Sequence, residues 1–168
     1  MPEYPSRGSR QRRRLGHMNT NEAPQTTHND QTAANRRVPD VWPTLQAHDA
    51  PALIDFLVGT VGFLRTAVYE DGDRVAHAQL DWPEGGGVML GSHDPKAAAW
   101  CREPGTFGAY VVTDRVDDLY RRLTDAGAKV VREIEDQPYG SREFAIADPE
   151  GNLWSFGTYA GEPRPDQG

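Results

Sequence analysis

The feature that most constrains this chain is a spacing that occurs twice. Asp49 and Gly62 stand 13 positions apart, as do Asp114 and Gly127, and apolar residues fill the intervals at helical spacing, with Ile54 and Val58 matching Leu119 and Leu123. Further on, Pro83-Glu84-Gly85 precedes Gly91 by eight positions and Pro149-Glu150-Gly151 precedes Gly157 by eight. The two halves are thus offset by 65 residues at the helix and by 66 at the last hairpin. Aspartate caps and Pro-Glu-Gly turns are each common. Two matched pairs at nearly one offset, in one order of elements, imply an internal duplication.

The repeated plan is βαβββ. In the first half a strand is predicted over 41–47, then a helix opened by Asp49 with Pro51 just inside it and Gly62 ending it. Strands over 63–69, 75–82 and 87–91 follow, joined by the tight turns Asp71-Gly72-Asp73 and Glu84-Gly85-Gly86. The second half predicts a strand over 110–113, a helix capped by Asp114 and stopped by Gly127, and strands over 128–134, 142–147 and 153–159. The expected fold is α+β: one domain over 41–160, made of a module at 41–91, a linker at 92–106 and a module at 107–160.

Outside the domain the composition changes. Residues 1–40 are polar with hardly any apolar side chains, too few to repay the entropy of ordering, and read as a disordered tail; 161–168 reads as a second. Residues 1–37 hold seven arginines against Glu3, Glu22 and Asp30, a balance of +4 that leaves −11 on the remainder of a chain at −7. The arginine cluster is open to several readings: a solvated leader, an over-long start ahead of Met18, or a contact for RNA or an acidic partner. The acidic body gives no electrostatic reason to approach nucleic acid or anionic lipid, and its long-range field favours cationic or neutral ligands.

The single cysteine, Cys101, rules out an internal disulfide, fits a reducing compartment and is read as inert. No run approaches the ~20 apolar residues of a membrane helix. A cytoplasmic protein without membrane or nucleic-acid partners is expected. No nucleophile elbow, phosphate loop or dinucleotide fingerprint occurs.

The duplicated module, together with His77-Ala78-Gln79-Leu80, Val88-Met89-Leu90-Gly91, Tyr139-Gly140-Ser141-Arg142 and the run from Asp148 through Pro149, Glu150, Gly151 and Asn152 to Phe156, resembles the glyoxalase/bleomycin-resistance (vicinal oxygen chelate) superfamily. Within it the nearest likeness is to PhnB-like glyoxalase-related proteins. The resemblance implies two modules whose curved sheets enclose a cleft, and commonly a homodimer.

Many enzymes of that superfamily hold a divalent metal through one side chain from the first and one from the last strand of each module. Carried onto this chain, those positions fall near Trp42, on Met89, around Phe107 or Gly108, and on Ser155, none an ordinary ligand for such a cation. His48, His77 and His93 match no ligand spacing. No catalytic metal and no other cofactor are therefore expected.

Strand alternation identifies what lines the cleft instead. Val88, Leu90, Ala78, Leu80, Phe144, Ile146, Trp154 and Phe156 share the parity of the core. Trp42, Thr44, Gln46, His77, Gln79, Met89, Tyr110, Glu143 and Ser155 then face the cavity, with Asp81 a further candidate, a mixture suited to a small organic ligand. His77 and Glu143 occupy equivalent positions, 66 apart, and form either an acid–base pair or a structural hydrogen bond between modules. Tyr139 and Arg142 enter the seventh strand, where the guanidinium binds a ligand carboxylate or pairs with Asp136 or Glu135. The expected function is metal-independent binding of a small organic molecule, with sequestration of a toxic compound or drug as one form of it. The alternative is an enzyme using His77 and Glu143, or a metal held by other ligands.

Overall fold

A computed structural model describes residues 41–97 and 102–163. The readings of the 1–40 tail, Met18, Cys101 and the end beyond 163 lie outside the described residues. Within them the chain forms β1 (Thr44–Ala47), α1 (Ala50–Asp55), β2 (Leu64–Asp71), β3 (Arg74–Asp81) and β4 (Gly87–Ser92). It repeats as β5 (Gly108–Val112), α2 (Val116–Asp125), β6 (Lys129–Asp136), β7 (Arg142–Ala147) and β8 (Leu153–Gly157). Each module is a four-stranded mixed sheet, ordered β1-β4-β3-β2 and β5-β8-β7-β6, with its first strand parallel to its last.

The duplication holds at the level of register. Thr44 pairs with Met89 as Tyr110 pairs with Ser155, and Gln79 pairs with Met89 as Ala145 pairs with Ser155, each match at offset 66. Both edge hairpins carry the same irregularity: a register shift between Arg65 and Ala67 in β2 recurs between Val130 and Arg132 in β6.

The helix starts differ. The Asp49 side chain accepts the Ala52 N–H at 3.0 Å, and the helix continues with π winding over Phe56–Val61 to Gly62 at φ 100°. Asp114, expected to cap α2, does not: the helix begins two residues later, and Thr113 Oγ1 accepts the Arg115 N–H at 3.1 Å instead. What the two aspartates share is a partner from the opposite module. Glu150 of the second Pro-Glu-Gly turn accepts the Asp49 N–H at 2.7 Å, and Glu84 of the first accepts the Asp114 N–H at 3.4 Å, the Thr113 hydroxyl at 3.0 Å and Arg115 Nη2 at 3.1 Å. Each turn glutamate therefore places a negative charge beside the entry of the other module's helix, where exposed N–H groups and the helix dipole favour it.

One apolar core spans both modules, and every residue assigned to it by strand parity is buried. Phe63 packs on Trp82 and Trp154 at ring-centroid distances of 5.1 and 5.5 Å, and Phe156 stacks on Phe144 at 5.1 Å. The Trp82 indole N–H donates to the Val112 carbonyl at 3.0 Å, and Arg122 donates to the Val61 carbonyl. The aromatic contacts Phe63–Trp154 and Trp82–Phe156 run from one module to the other, so part of each module's burial depends on its neighbour. No helix among the described residues is long and apolar enough to cross a membrane.

Candidate ligand-binding site

Residues paired across a sheet share a face, so each sheet presents a transverse row of side chains away from the core. In the second sheet the row runs Tyr110, Ser155, Ala145, Arg132. Above it lies a cavity of about 580 Å3 lined by Tyr110, Val112, Arg132, Tyr139, Glu143, Ser155 and Tyr159, closed on one side by Ala160 and Gly161.

Glu143 is its centre. It is 3 % exposed, and its Oε1 accepts the hydroxyls of Tyr110 at 3.0 Å and Tyr139 at 2.9 Å while Oε2 accepts Arg132 Nη2 at 3.0 Å. Arg132 Nη2 also donates to Ser155 Oγ at 2.9 Å. Burial alone would raise the carboxyl pKa. Hydrogen bonds from Ser141, Tyr139 and Tyr110, with the Arg132 charge, outweigh it and hold Glu143 below the ordinary glutamate range. The two phenols move the other way: burial, chiefly, and the Glu143 carboxylate raise the pKa of both Tyr110 and Tyr139.

Gly157 makes room for this cluster. A Cβ there would stand 2.7 Å from Glu143 Cγ and collide with the Tyr110 hydroxyl. Ser141, buried beside them, lies 3.2 Å from the Tyr110 oxygen and accepts the Tyr159 N–H at 3.1 Å, which carries the strand end past the site.

Tyr110, Tyr139, Glu143 and Ser155 are thus brought together as strand parity and the entry loop suggest. Parity misses Arg132, for a physical reason. By simple alternation it shares the parity of Val130 and Ile134, which pack on the core, but the register shift after Val130 turns it to the opposite face and a second shift before Glu135 restores the alternation.

Of its two expected roles Arg142 takes the ion pair: it has the core-side parity of β7, reaches Asp136 from Nη1 at 3.1 Å, and adds a partner not foreseen, Asp117, to which it donates at 2.9–3.1 Å from Nε and Nη2. That pairing raises its own pKa and lowers that of Asp117. His77 and Glu143 share neither a hydrogen bond nor an ion pair, because Glu143 is occupied within its own module while His77 stacks on Tyr69 at 6.0 Å.

The cleft between the modules is present, and the cavity over the second sheet opens beside it, its lining among the described residues drawn from the second module. In the first sheet Thr44, Met89, Gln79 and Ala67 form the corresponding row, with Thr44 exposed and Met89 and Gln79 half-buried. Gln79 donates to Asp81 at 3.0 Å, and the Thr66 hydroxyl donates to the same carboxylate. Gln46 is half-buried on β1, and Trp42 precedes that strand and leans over Gly87, where a Cβ would stand 2.7 Å from its ring. A cavity of about 800 Å3 joins the modules, between the turn at Trp82–Val88 and the strand at Ala109–Asp114; it shares Tyr110, Val112 and Ala160 with the cavity over the second sheet, and its lining is mostly apolar.

The metal of the superfamily does not fit these residues. The positions to which the resemblance would carry it fall near Trp42, on Met89, around Phe107 or Gly108, and on Ser155, and the one buried carboxylate beside the second-sheet row is already paired with a guanidinium. Among the described residues no three His, Cys, Asp or Glu side chains gather closely enough to share a cation.

Residues 41–156 match the family model of the Glyoxalase/Bleomycin resistance protein/Dioxygenase superfamily. The chain is 32 % identical over 136 residues to the uncharacterized protein Mb0911c of Mycobacterium bovis, covering 77 % of this chain and 89 % of that one. Among solved structures, TioX from Micromonospora sp. ML1 is 32 % identical with a TM-score of 0.56, covering 68 % of this chain and 93 % of its own. TnmS3, an antibiotic binding protein from Streptomyces sp. CB03234, is 27 % identical with a TM-score of 0.53, covering 67 % and 88 %. With the doubled βαβββ module, its register and the family match in agreement, the chain belongs to the glyoxalase/bleomycin resistance/dioxygenase superfamily.

Proposed function

We propose that this protein binds a small organic molecule in the cavity over β5–β8 and holds it without transforming it, as a cytoplasmic homodimer that sequesters a toxic or antibiotic compound. The observation that carries this reading is the state of Glu143. Its buried carboxylate accepts two phenols and a guanidinium, three of the roughly four hydrogen bonds a carboxylate can take, so it organises the cavity wall and is poorly placed to take a ligand proton. A general base needs a reachable partner and a pKa near the working pH, and Glu143 has been moved away from both. The exposed rings of Tyr110, Tyr139 and Tyr159 supply the apolar contact that a binding cavity of this size requires. The antibiotic-binding relative TnmS3 supports the same reading.

The test is a thermal-shift screen of the purified protein against aromatic antibiotics, followed by calorimetry and by chromatography of the recovered ligand. Binding with the ligand returned unchanged is expected, and Tyr139→Ala is expected to weaken it about tenfold, the scale of one lost stacking contact. A stabilisation that disappears because the ligand is converted would overturn sequestration. Absence of any shift at millimolar ligand would overturn the site. Sedimentation equilibrium tests the dimer directly.

A further inference from the structure

We infer that the cavity over β5–β8 selects planar aromatic molecules bearing an oxygen acceptor, a carboxylate, phenolate or carbonyl, and discriminates against cations, with Arg132 as the residue that sets this preference. The inference rests on the binding reading above and goes further by naming the ligand class.

The lining holds one carboxylate and one guanidinium, and they are unequally available. The Glu143 side chain is 4 % exposed and each of its oxygens has a donor, whereas the Arg132 side chain is 40 % exposed. A guanidinium carries five N–H donors. Both hydrogen bonds of Arg132 leave from Nη2, to Glu143 and Ser155; Nε is buried, and Nη1 makes no hydrogen bond among the described residues, so the exposed part of the guanidinium retains free donors. An entering cation meets this charge, while the one carboxylate of the lining is buried and paired with it. An entering acceptor finds a donor already held in place, which lowers the ordering cost of the contact.

The rings fix the shape of the ligand. Tyr110, Tyr139 and Tyr159 are 41, 61 and 42 % exposed, although two of them have their hydroxyls tied inward to Glu143. Tyr139 and Tyr159 meet edge to face at 6.0 Å, leaving an aromatic wall beside the guanidinium. Flat rings pair with such a wall better than saturated ones. The acidic character of the body works against anions at long range, but that field is screened within about 10 Å at ordinary salt, and the contact itself is decided by Arg132.

The experiment is calorimetric titration of the full chain with three probes of one skeleton, 2-naphthoate, 2-acetylnaphthalene and 2-naphthylmethylammonium, at about 0.15 M salt, where surface charges are largely screened. The acid and the ketone are expected to bind at least tenfold more tightly than the ammonium. The double variant R132M/E143Q removes both charges while leaving an amide oxygen for the two tyrosines, and its three affinities are expected to fall within about twofold of one another. Ammonium binding equal to or tighter than naphthoate would overturn the inference and leave the binding site standing. So would a tenfold preference that persists in the double variant. If none of the probes binds at millimolar concentration, the inference falls together with the site.

Discussion

The two sheets of this molecule were built from one plan and have diverged in what their open faces can do. In the first, the row Thr44, Met89, Gln79, Ala67 crosses the sheet; in the second, Tyr110, Ser155, Ala145, Arg132 stand at the matching places. Two exchanges account for most of the contrast. Where the first sheet has Gln79, the second has only the methyl of Ala145, which leaves space above the row. Where the first has Ala67 behind its register shift, the second has Arg132, which brings a charge to that space and allows Glu143 to be buried. A duplicated scaffold thus separates the frame, which both halves keep, from the polar cavity lined by Tyr110, Arg132, Tyr139 and Glu143, which only the second half carries among the described residues.

The largest test of this contrast is to remove the central polar group from each face. Glu143→Leu leaves Arg132 and two phenols without their acceptor and should cost about 2–4 kcal/mol, a value toward the lower end for a broken buried pair because Arg132 is partly exposed. His77→Leu, on a half-buried residue held by ring stacking alone, should cost under about 1 kcal/mol. Urea midpoints measure both, and equal costs would remove the asymmetry.

The acid limb sharpens the same comparison. Because the folded pKa of Glu143 is depressed, its contribution is complete above the unfolded value of about 4.3 and is lost as pH falls through the lower folded value. The stability gap between wild type and Glu143→Gln should therefore narrow below about pH 4.3, as measured by denaturant titration across the acid range. A gap independent of pH would contradict the ionised, hydrogen-bonded carboxylate.

Next in size are the paired glycines. Gly157→Ala drives a methyl into Glu143 and the Tyr110 hydroxyl and should lower stability by about 1–3 kcal/mol while weakening ligand binding. Gly91→Ala, at the equivalent position, meets only the Ala76 and Val75 carbonyls at 3.2 and 3.4 Å and should cost less, with binding unchanged. Thermal melts with and without ligand separate the two.

Glu84→Ala removes three contacts to the other module's helix entry and Glu150→Ala one, so Glu150→Ala should cost about 1 kcal/mol and Glu84→Ala more. Equal losses in urea midpoints would show the two clasps to be equivalent despite this difference. The smallest effect belongs to Arg142→Ala, which breaks solvent-screened ion pairs with Asp117 and Asp136: little change in the thermal midpoint and no change in ligand affinity. A loss of binding in that variant would return Arg142 to the site.

Much of this was legible in the chain itself. The offsets at Asp49/Asp114 and at the Pro-Glu-Gly turns give the two modules, and strand parity names Leu80, Phe144, Trp154 and Phe156 as core because those strands are regular where they are buried. Tyr110, Glu143 and Ser155 follow from the same rule. The rule fails at Arg132, where a bulge breaks the period of two, and at His77 and Glu143, where equivalence within a repeat does not mean proximity in space. It could not show that Glu84 and Glu150 each reach the other module's helix, since a turn sequence says nothing of what lies opposite it.

Local sequence therefore determined the doubled βαβββ plan, the buried face of each strand and the family, because hydrophobic periodicity and turn chemistry act over a few residues. Only the tertiary structure decided which face holds the site and which groups meet there. Register shifts reassign single side chains, and the partners of Glu143 come from β5, β6 and the loop before β7, three segments brought together only when the sheet closes.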